Sequence, residues 1–369
     1  MRDSRTKRHS KRLQFFVLLF FLLILIASSK MFNIDRLLLN NSTKTLELMS
    51  SMNIDMSKYS GIKIYDDAIL IVSSNKIISL DYNGTVKWKK DIKAINPIVR
   101  FGMHNIYILD SINGQVVTLD LNGEEIWRYD FKKSIEDIIE KGDCLIVFTK
   151  AGEKKDQINI FDLKGDLVGN IILEQGIALD CDISNDKKKV LINVLDLSDE
   201  KIKSKVALYS INGYEIWEQD VENDIISKIN FIDDKILSVT KSDIKLLNSK
   251  QKLLWDRGID GEIIDLNIDI ENKQIILLYT GNKKYLEVIS INGRTKMKKE
   301  VDKNIKKIYI RDSNIYLVGD KKIYGISKDV FLDYNISEKI KSVGVLKDKL
   351  IVITNEGIKI MKLVNLKSN

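Results

Sequence analysis

Apolar and polar positions along the 369-residue chain fall into short blocks rather than helical stripes. Eight continuous apolar runs, at residues 68–72, 105–109, 144–148, 190–194, 236–239, 275–279, 315–318 and 350–353, recur at a spacing of roughly 35 to 46 residues. Most are four to six residues long, rich in Ile, Leu and Val, and preceded by Asp, Asn or Lys. Runs this short, bounded by turn residues, predict strands buried on both faces; a helix needs about 10 residues and a 3.6-residue pattern.

Seven of the runs are followed by a common signature, clearest as Asp81-Tyr-Asn-Gly-Thr-Val-Lys-Trp88, Asp120-Leu-Asn-Gly-Glu-Glu-Ile-Trp127 and Ser210-Ile-Asn-Gly-Tyr-Glu-Ile-Trp217. Asn83-Gly84, Asn122-Gly123 and Asn212-Gly213 each stand four residues before a Trp, and Asn292-Gly293 stands before Met297. Asn-Gly between apolar stretches predicts a hairpin with a type I′ turn, which needs φ > 0 at both central residues. The other copies are degenerate: Lys164-Gly165 leads to Gly169, Lys250-Gln251 to Trp255, and Lys328-Asp329 to Tyr334. All four tryptophans, Trp88, Trp127, Trp217 and Trp255, fall on this one repeat position. Packing between neighbouring units accounts for that position better than ligand stacking, because one unit cannot bury both faces alone.

Each unit therefore predicts four antiparallel strands, and units of about 40 residues repeated this often predict an all-β propeller. Eight blades are favoured over seven. The last unit runs out near residue 364 without an outer strand, and segment 53–59 is expected to supply it, closing the ring without an open sheet edge. The pattern Asp-x-Asn-Gly-x-x-x-Trp resembles the tryptophan-docking repeat of the pyrroloquinoline-quinone-like propellers over residues 60–364. That resemblance implies an eight-bladed ring. For chemistry it implies either a quinone-dependent dehydrogenase or a non-catalytic scaffold such as the propeller lipoprotein of outer-membrane assembly. The WD-repeat family fits less well, since no unit carries its Gly-His…Trp-Asp signature.

Charge separates address from fold. The first twelve residues carry six basic side chains and one acid, and residues 13–27 follow without a charge. A basic flank before an apolar stretch is an uncleaved anchor or a cleaved signal peptide; the anchor, from Leu13 to Ser29, is the preferred reading. Either leaves the basic end in the cytoplasm and the propeller outside. Setting those twelve residues aside, 59 basic and 52 acidic residues become 53 and 51, so the basic balance reflects membrane orientation and not nucleic acid. Residues 30–59 form a linker and 365–369 a short tail. Within the linker Met49, Met52 and Met56 fall at i, i+3 and i+7, a helical stripe packed on the propeller or lipid in preference to a Cu(I) site.

Candidate chemistry is sparse. A dehydrogenase of the resembled type would be expected to show adjacent cysteines and a calcium site, whereas Cys144 and Cys181 are far apart and read as buried free thiols. No cofactor and no metal are predicted. The only histidines are His9 and His104; His104 lies in a turn and reads as structural. Asp180 and Asp182 form one carboxylate pair near an inner strand, among many acids that would serve as well. The expected function is a membrane-anchored, non-catalytic propeller in a bacterial envelope that binds an envelope or secreted protein. The alternatives are a solute or glycan sensor and a divergent quinoprotein-type enzyme.

Overall fold

The computed structural model describes residues 44–365 apart from 95–96, 153–154, 198–202, 222–223 and 328–329. Segment 13–29 lies outside the described residues, among which no helix is long and apolar enough to cross a membrane. Within the compact unit Thr45–Val364, the described strands form eight four-stranded antiparallel sets. Seven follow one another at 61–91, 98–130, 135–172, 177–221, 228–258, 262–300 and 305–335. The eighth takes three strands from 340–365 and its outer strand from Lys44–Met52.

Each predicted apolar run is the second strand of a set, and its alternate side chains enter two different cores. In the first blade Ile69 and Ile71 pack with Ile351 and Ile353 of the eighth, while Leu70 and Val72 pack with Ile106 and Ile108 of the second. Strands covered on both faces lose the polar alternation of half-exposed strands, which is why these runs are unbroken. Eight such clusters join consecutive blades, the last linking the eighth blade to the first, so the blades close into a propeller ring.

The closing strand lies upstream of its expected place. Segment 53–59 instead contains a single 3-10 turn, Met56–Lys58, capped by Asp55, whose carboxylate accepts from Ser57 N at 3.1 Å. The strand Lys44–Met52 is hydrogen-bonded to the last strand of the chain, Ile358–Asn365, and on its other side to the outer strand of the seventh blade, Val330–Asn335. The methionine stripe is correspondingly not helical. Met49 is 52% exposed on this strand, whereas Met52 and Met56 are buried in the core between blades eight and one.

The turns also differ from expectation. Gly84, Gly123, Gly213 and Gly293 have positive φ, but the preceding asparagines do not. In the first blade Gly84 N donates to Asp81 O, Asp81 N donates to Thr85 O, and the register shifts by one residue between Ser79 and Leu80. This is a type I turn followed by a left-handed residue and a bulge, not a type I′ turn. The first signature residue selects it: Asp81 Oδ1 accepts from both Asn83 N and Thr85 N at 2.8 Å.

A second family of bulges marks the inner strands. In five of them the pairing slips by one residue near the strand start, leaving Glu136, Leu179, Ile264, Lys306 and Lys341 outside the ladder. Bulges re-aim side chains and twist the strand, here at equivalent positions around one end of the central channel.

The closing strand yields a direct test. A chain starting at residue 53 should aggregate, or unfold at clearly lower urea concentration than one starting at residue 40. Equal midpoints and a monomeric state for both in sedimentation would show the strand to be dispensable.

Candidate functional site

The predicted signature residues meet across blade boundaries. Trp88, Trp127, Trp217 and Trp255 are half-buried, and each indole donates to a turn carbonyl of the next blade: Leu121 O at 3.1 Å, Leu163 O at 3.1 Å, Ser249 O at 3.1 Å and Ile291 O at 2.9 Å. Trp88 covers Gly123, Trp127 covers Gly165, and Trp255 covers Gly293. A Cβ on Gly123 would lie 2.9 Å from the Trp88 ring, so glycine is required there by contact as well as by its φ of 83°. Trp217 meets a turn with Gln251 at the glycine position, held left-handed at φ 65°. Where Gly169 replaces the indole, the two blades touch through backbone: a Cβ on Gly169 would lie 2.6 Å from Ile211 O, and one on Gly213 would lie 2.5 Å from Asn170 O.

The joint between blades eight and one has the same chemistry with other residues. Ser50 Oγ donates to Tyr82 O at 3.1 Å, the carbonyl position that the indoles bond elsewhere, and the Met52 sulfur packs against Gly84. The sequence carried no signal for this pair, since neither residue belongs to the signature. Lys328 and Asp329 lie outside the described residues; Met297 and Tyr334 pack at the edges of their interblade cores.

Nearer the axis a second set of bonds ties inner strands together. Arg100 Nε donates to Asp137 Oδ1 at 3.0 Å, and Lys141 Nζ lies 3.7 Å from Asp180 Oδ1. Asp182 Oδ2 accepts from Phe231 N at 2.8 Å, and Asp265 Oδ2 accepts from Ile308 N at 2.7 Å. Lys228 Nζ donates to Leu266 O at 3.1 Å. Burial pushes the Asp180 carboxyl up, opposed by Lys141, and burial with repulsion from Lys141 holds the Lys228 ammonium down. Asp180 and Asp182 thus both lean on the fifth blade, Asp180 through Ile229 N, and are fasteners between sheets. Shifted groups in a channel are candidates for function, but each here has a bonded structural partner.

His104 is tied into a buried carboxylate. Glu140, whose side chain is 3% exposed, accepts from Met103 N at 2.6 Å, from His104 N at 3.0 Å and from Tyr107 Oη at 2.5 Å, with His104 Nδ1 at 3.1 Å. Burial, then Glu140, pushes the Tyr107 phenol far up, so it acts as a donor and not as a phenolate. Beside this network a pocket of about 530 Å³ opens between the first three blades, lined by Tyr65, Arg100, Phe101 and Ile139 among others. A second buried carboxylate, Glu287, accepts from Arg257 Nη2 at 2.5 Å and from Thr295 Oγ1 at 2.7 Å, joining blades five and six.

Cys144 and Cys181 are free and share one core between blades three and four. Burial raises both thiols, Cys181 well above its ordinary value, which disfavours the nucleophilic thiolate. Among the described residues no group of three or more His, Cys, Asp or Glu is arranged to hold a metal ion.

Two predictions follow from these joints. Trp217→Ala should cost about 3 kcal/mol, the low end for a buried Trp because this ring is only half-buried, and Gly123→Ala about 1–3 kcal/mol from backbone strain; urea midpoints unchanged in both would remove the docking role. Asp180 has its folded pKa above the unfolded one. Its charged form therefore costs stability above that pKa, and the cost is relieved as pH falls through it. Lys141→Met, which removes the opposing cation, should move the Asp180 titration higher still in carboxyl-detected NMR; an unmoved or lowered midpoint would contradict the pairing.

Several solved structures share this architecture at low identity. BamB from Moraxella catarrhalis aligns with TM-score 0.56 and 13% identity over 86% of this chain and 99% of its own. Sqt1 from Saccharomyces cerevisiae aligns with TM-score 0.61 and 9% identity over 86% and 99%. The C-terminal WD40 domain of Sif2 gives 0.62 and 11% over 88% and 99%. These likenesses establish the propeller fold. No curated protein matches the sequence. One family model does, over residues 40–363, from before the closing strand almost to the end of the last blade, and the chain belongs to that family, described as a family of unknown function (DUF5711).

Proposed function

We propose that this chain is a membrane-anchored, extracytoplasmic propeller that serves as a non-catalytic platform for another envelope or secreted protein. The observation that carries the reading is how the reactive side chains are used. The channel carboxylates bind backbone amides of the next blade or cations of the preceding one, His104 is paired with Glu140, and both cysteines are sealed in a core. What stands outward is a closed, stiff ring with loops and strand starts at its two ends, the usual contact surfaces of such scaffolds. The basic residues 2–12 followed by the uncharged stretch 13–29 support a single-pass anchor with the N-terminus in the cytoplasm. The docking repeat supports placement among the pyrroloquinoline-quinone-like propellers, in a non-catalytic branch. The Ile-, Lys- and Asn-rich composition suits a bacterial envelope.

A second reading, solute or glycan binding, is favoured by the pocket of about 530 Å³ between blades one, two and three. Its volume lies in the range of small-molecule sites.

Crosslinking of the full-length protein in cells, with capture from membranes and mass spectrometry, tests the platform. One or a few envelope proteins should be recovered repeatedly. Recovery of this chain alone would discard the platform reading in favour of the pocket, which a thermal-shift panel of solutes would then probe.

A further inference from the structure

The inner-strand bulges place an ordered series of side chains around one mouth of the channel. In blades three, four, six, seven and eight the extruded residues are Glu136, Leu179, Ile264, Lys306 and Lys341. Polarity therefore changes with position around the ring: apolar in blades four and six, cationic in seven and eight. Leu179 is 44% exposed and Ile264 38%; at the same mouth Ile177, the first residue of its inner strand, is 36% exposed and Ile225, just ahead of its own, 46%. Exposed apolar side chains at the other end, Met103, Tyr214 and Ile270, stand singly on turns of blades two, four and six. These four side chains gather exposed apolar surface at one mouth across three adjoining blades, and apolar surface that gathers in this way marks interaction sites.

The cationic sector has charge to spare. Lys306 is held by both oxygens of Asp320, at 2.8 and 2.7 Å, and Lys322 by Asp333 at 3.2 Å. Lys307, Lys321, Lys339 and Lys341 have no ion-pair partner within 4.0 Å among the described residues, and all are exposed. An occupant that covered the apolar arc alone would leave these ammonium groups facing its flank, so an acidic flank is the complementary one.

Resting on the platform reading, we infer that this mouth is the docking surface and that its occupant is a polypeptide segment of a partner protein with apolar anchors beside acidic residues. The anchors sit on Leu179, Ile264 and their neighbours, and the acids face Lys307 and Lys341. Stiff inner strands hold both sectors in place, so little ordering opposes binding.

The test uses the full-length protein in detergent and two fluorescent peptides, an amphipathic Leu/Glu helix and its Leu/Lys counterpart, followed by anisotropy. The Leu/Glu peptide should bind and the Leu/Lys peptide should not. Leu179→Asp and Lys341→Glu should each weaken the Leu/Glu complex by about tenfold or more, the loss that one anchoring side chain carries. Both residues are exposed, so the urea midpoint should stay put and report an intact ring. Equal binding of the two peptides, no binding, or affinity indifferent to both substitutions would overturn the inference. The same substitutions in the membrane crosslinking experiment separate it from the reading beneath it. A partner lost on substitution supports this mouth; a partner retained by both variants leaves the platform standing and moves its surface elsewhere; no partner even for the unsubstituted chain removes both.

Discussion

A four-stranded sheet whose second strand is apolar on both sides cannot be stable alone, and every other feature of this ring answers that constraint. Leu70 and Ile71 are adjacent in sequence and buried in different cores. Each blade therefore needs two neighbours, and eight blades satisfy one another only if the last meets the first. The strand Lys44–Met52 supplies that meeting by pairing with the last strand of the chain. The ends of the unit are thereby bound to each other, and opening the ring anywhere exposes two apolar faces at once.

Two concentric sets of polar bonds keep the faces in register. At the rim an indole, or Ser50 in the closing joint, reaches a turn carbonyl of the following blade. Around the channel, carboxylates of one inner strand accept backbone amides of the next, as Asp182 does from Phe231 and Asp265 from Ile308. Apolar packing is indifferent to small slides, whereas these bonds are directional, so they fix the angle at which blades meet. Glu140 and Glu287 belong to the same system, buried carboxylates that are tolerated because donors surround them.

Legibility in the sequence followed from how local each constraint is. Double burial leaves an unbroken apolar run, and docking needs an indole at a fixed distance from a turn, so strands, period and rim residues could be read. The turn type was misread because Asn-Gly serves two geometries; the discriminating residue was Asp81 or its equivalent, whose carboxylate accepts two amides only around a three-residue loop. The closing strand escaped because only Leu46 and Met52 are buried along it and its place is set by backbone bonds to two other strands. Met49, Met52 and Met56 matched a helix by spacing alone, three points being too few to exclude a strand followed by a turn. The channel bonds left no trace, since Asp182 and Phe231 are 49 residues apart and on different blades. For the same reason Asp180 and Asp182, adjacent enough to suggest paired acids, turned out to share the task of holding the fifth blade.

The inner-strand bulges show where this architecture can vary without cost to closure. A residue expelled from the ladder has no partner in the strand pairing, so its identity is freer of the constraint that governs its neighbours. In five blades that bulged position carries Glu, Leu, Ile, Lys and Lys, and in three of them the next residue is a bonded Asp, namely Asp137, Asp180 and Asp265. In blades three, four and six the fastener and the bulged residue are thus neighbours on the same strand. A ring built this way can change these exposed side chains while its fasteners stay fixed, and the docking surface inferred above draws on two of them, Leu179 and Lys341.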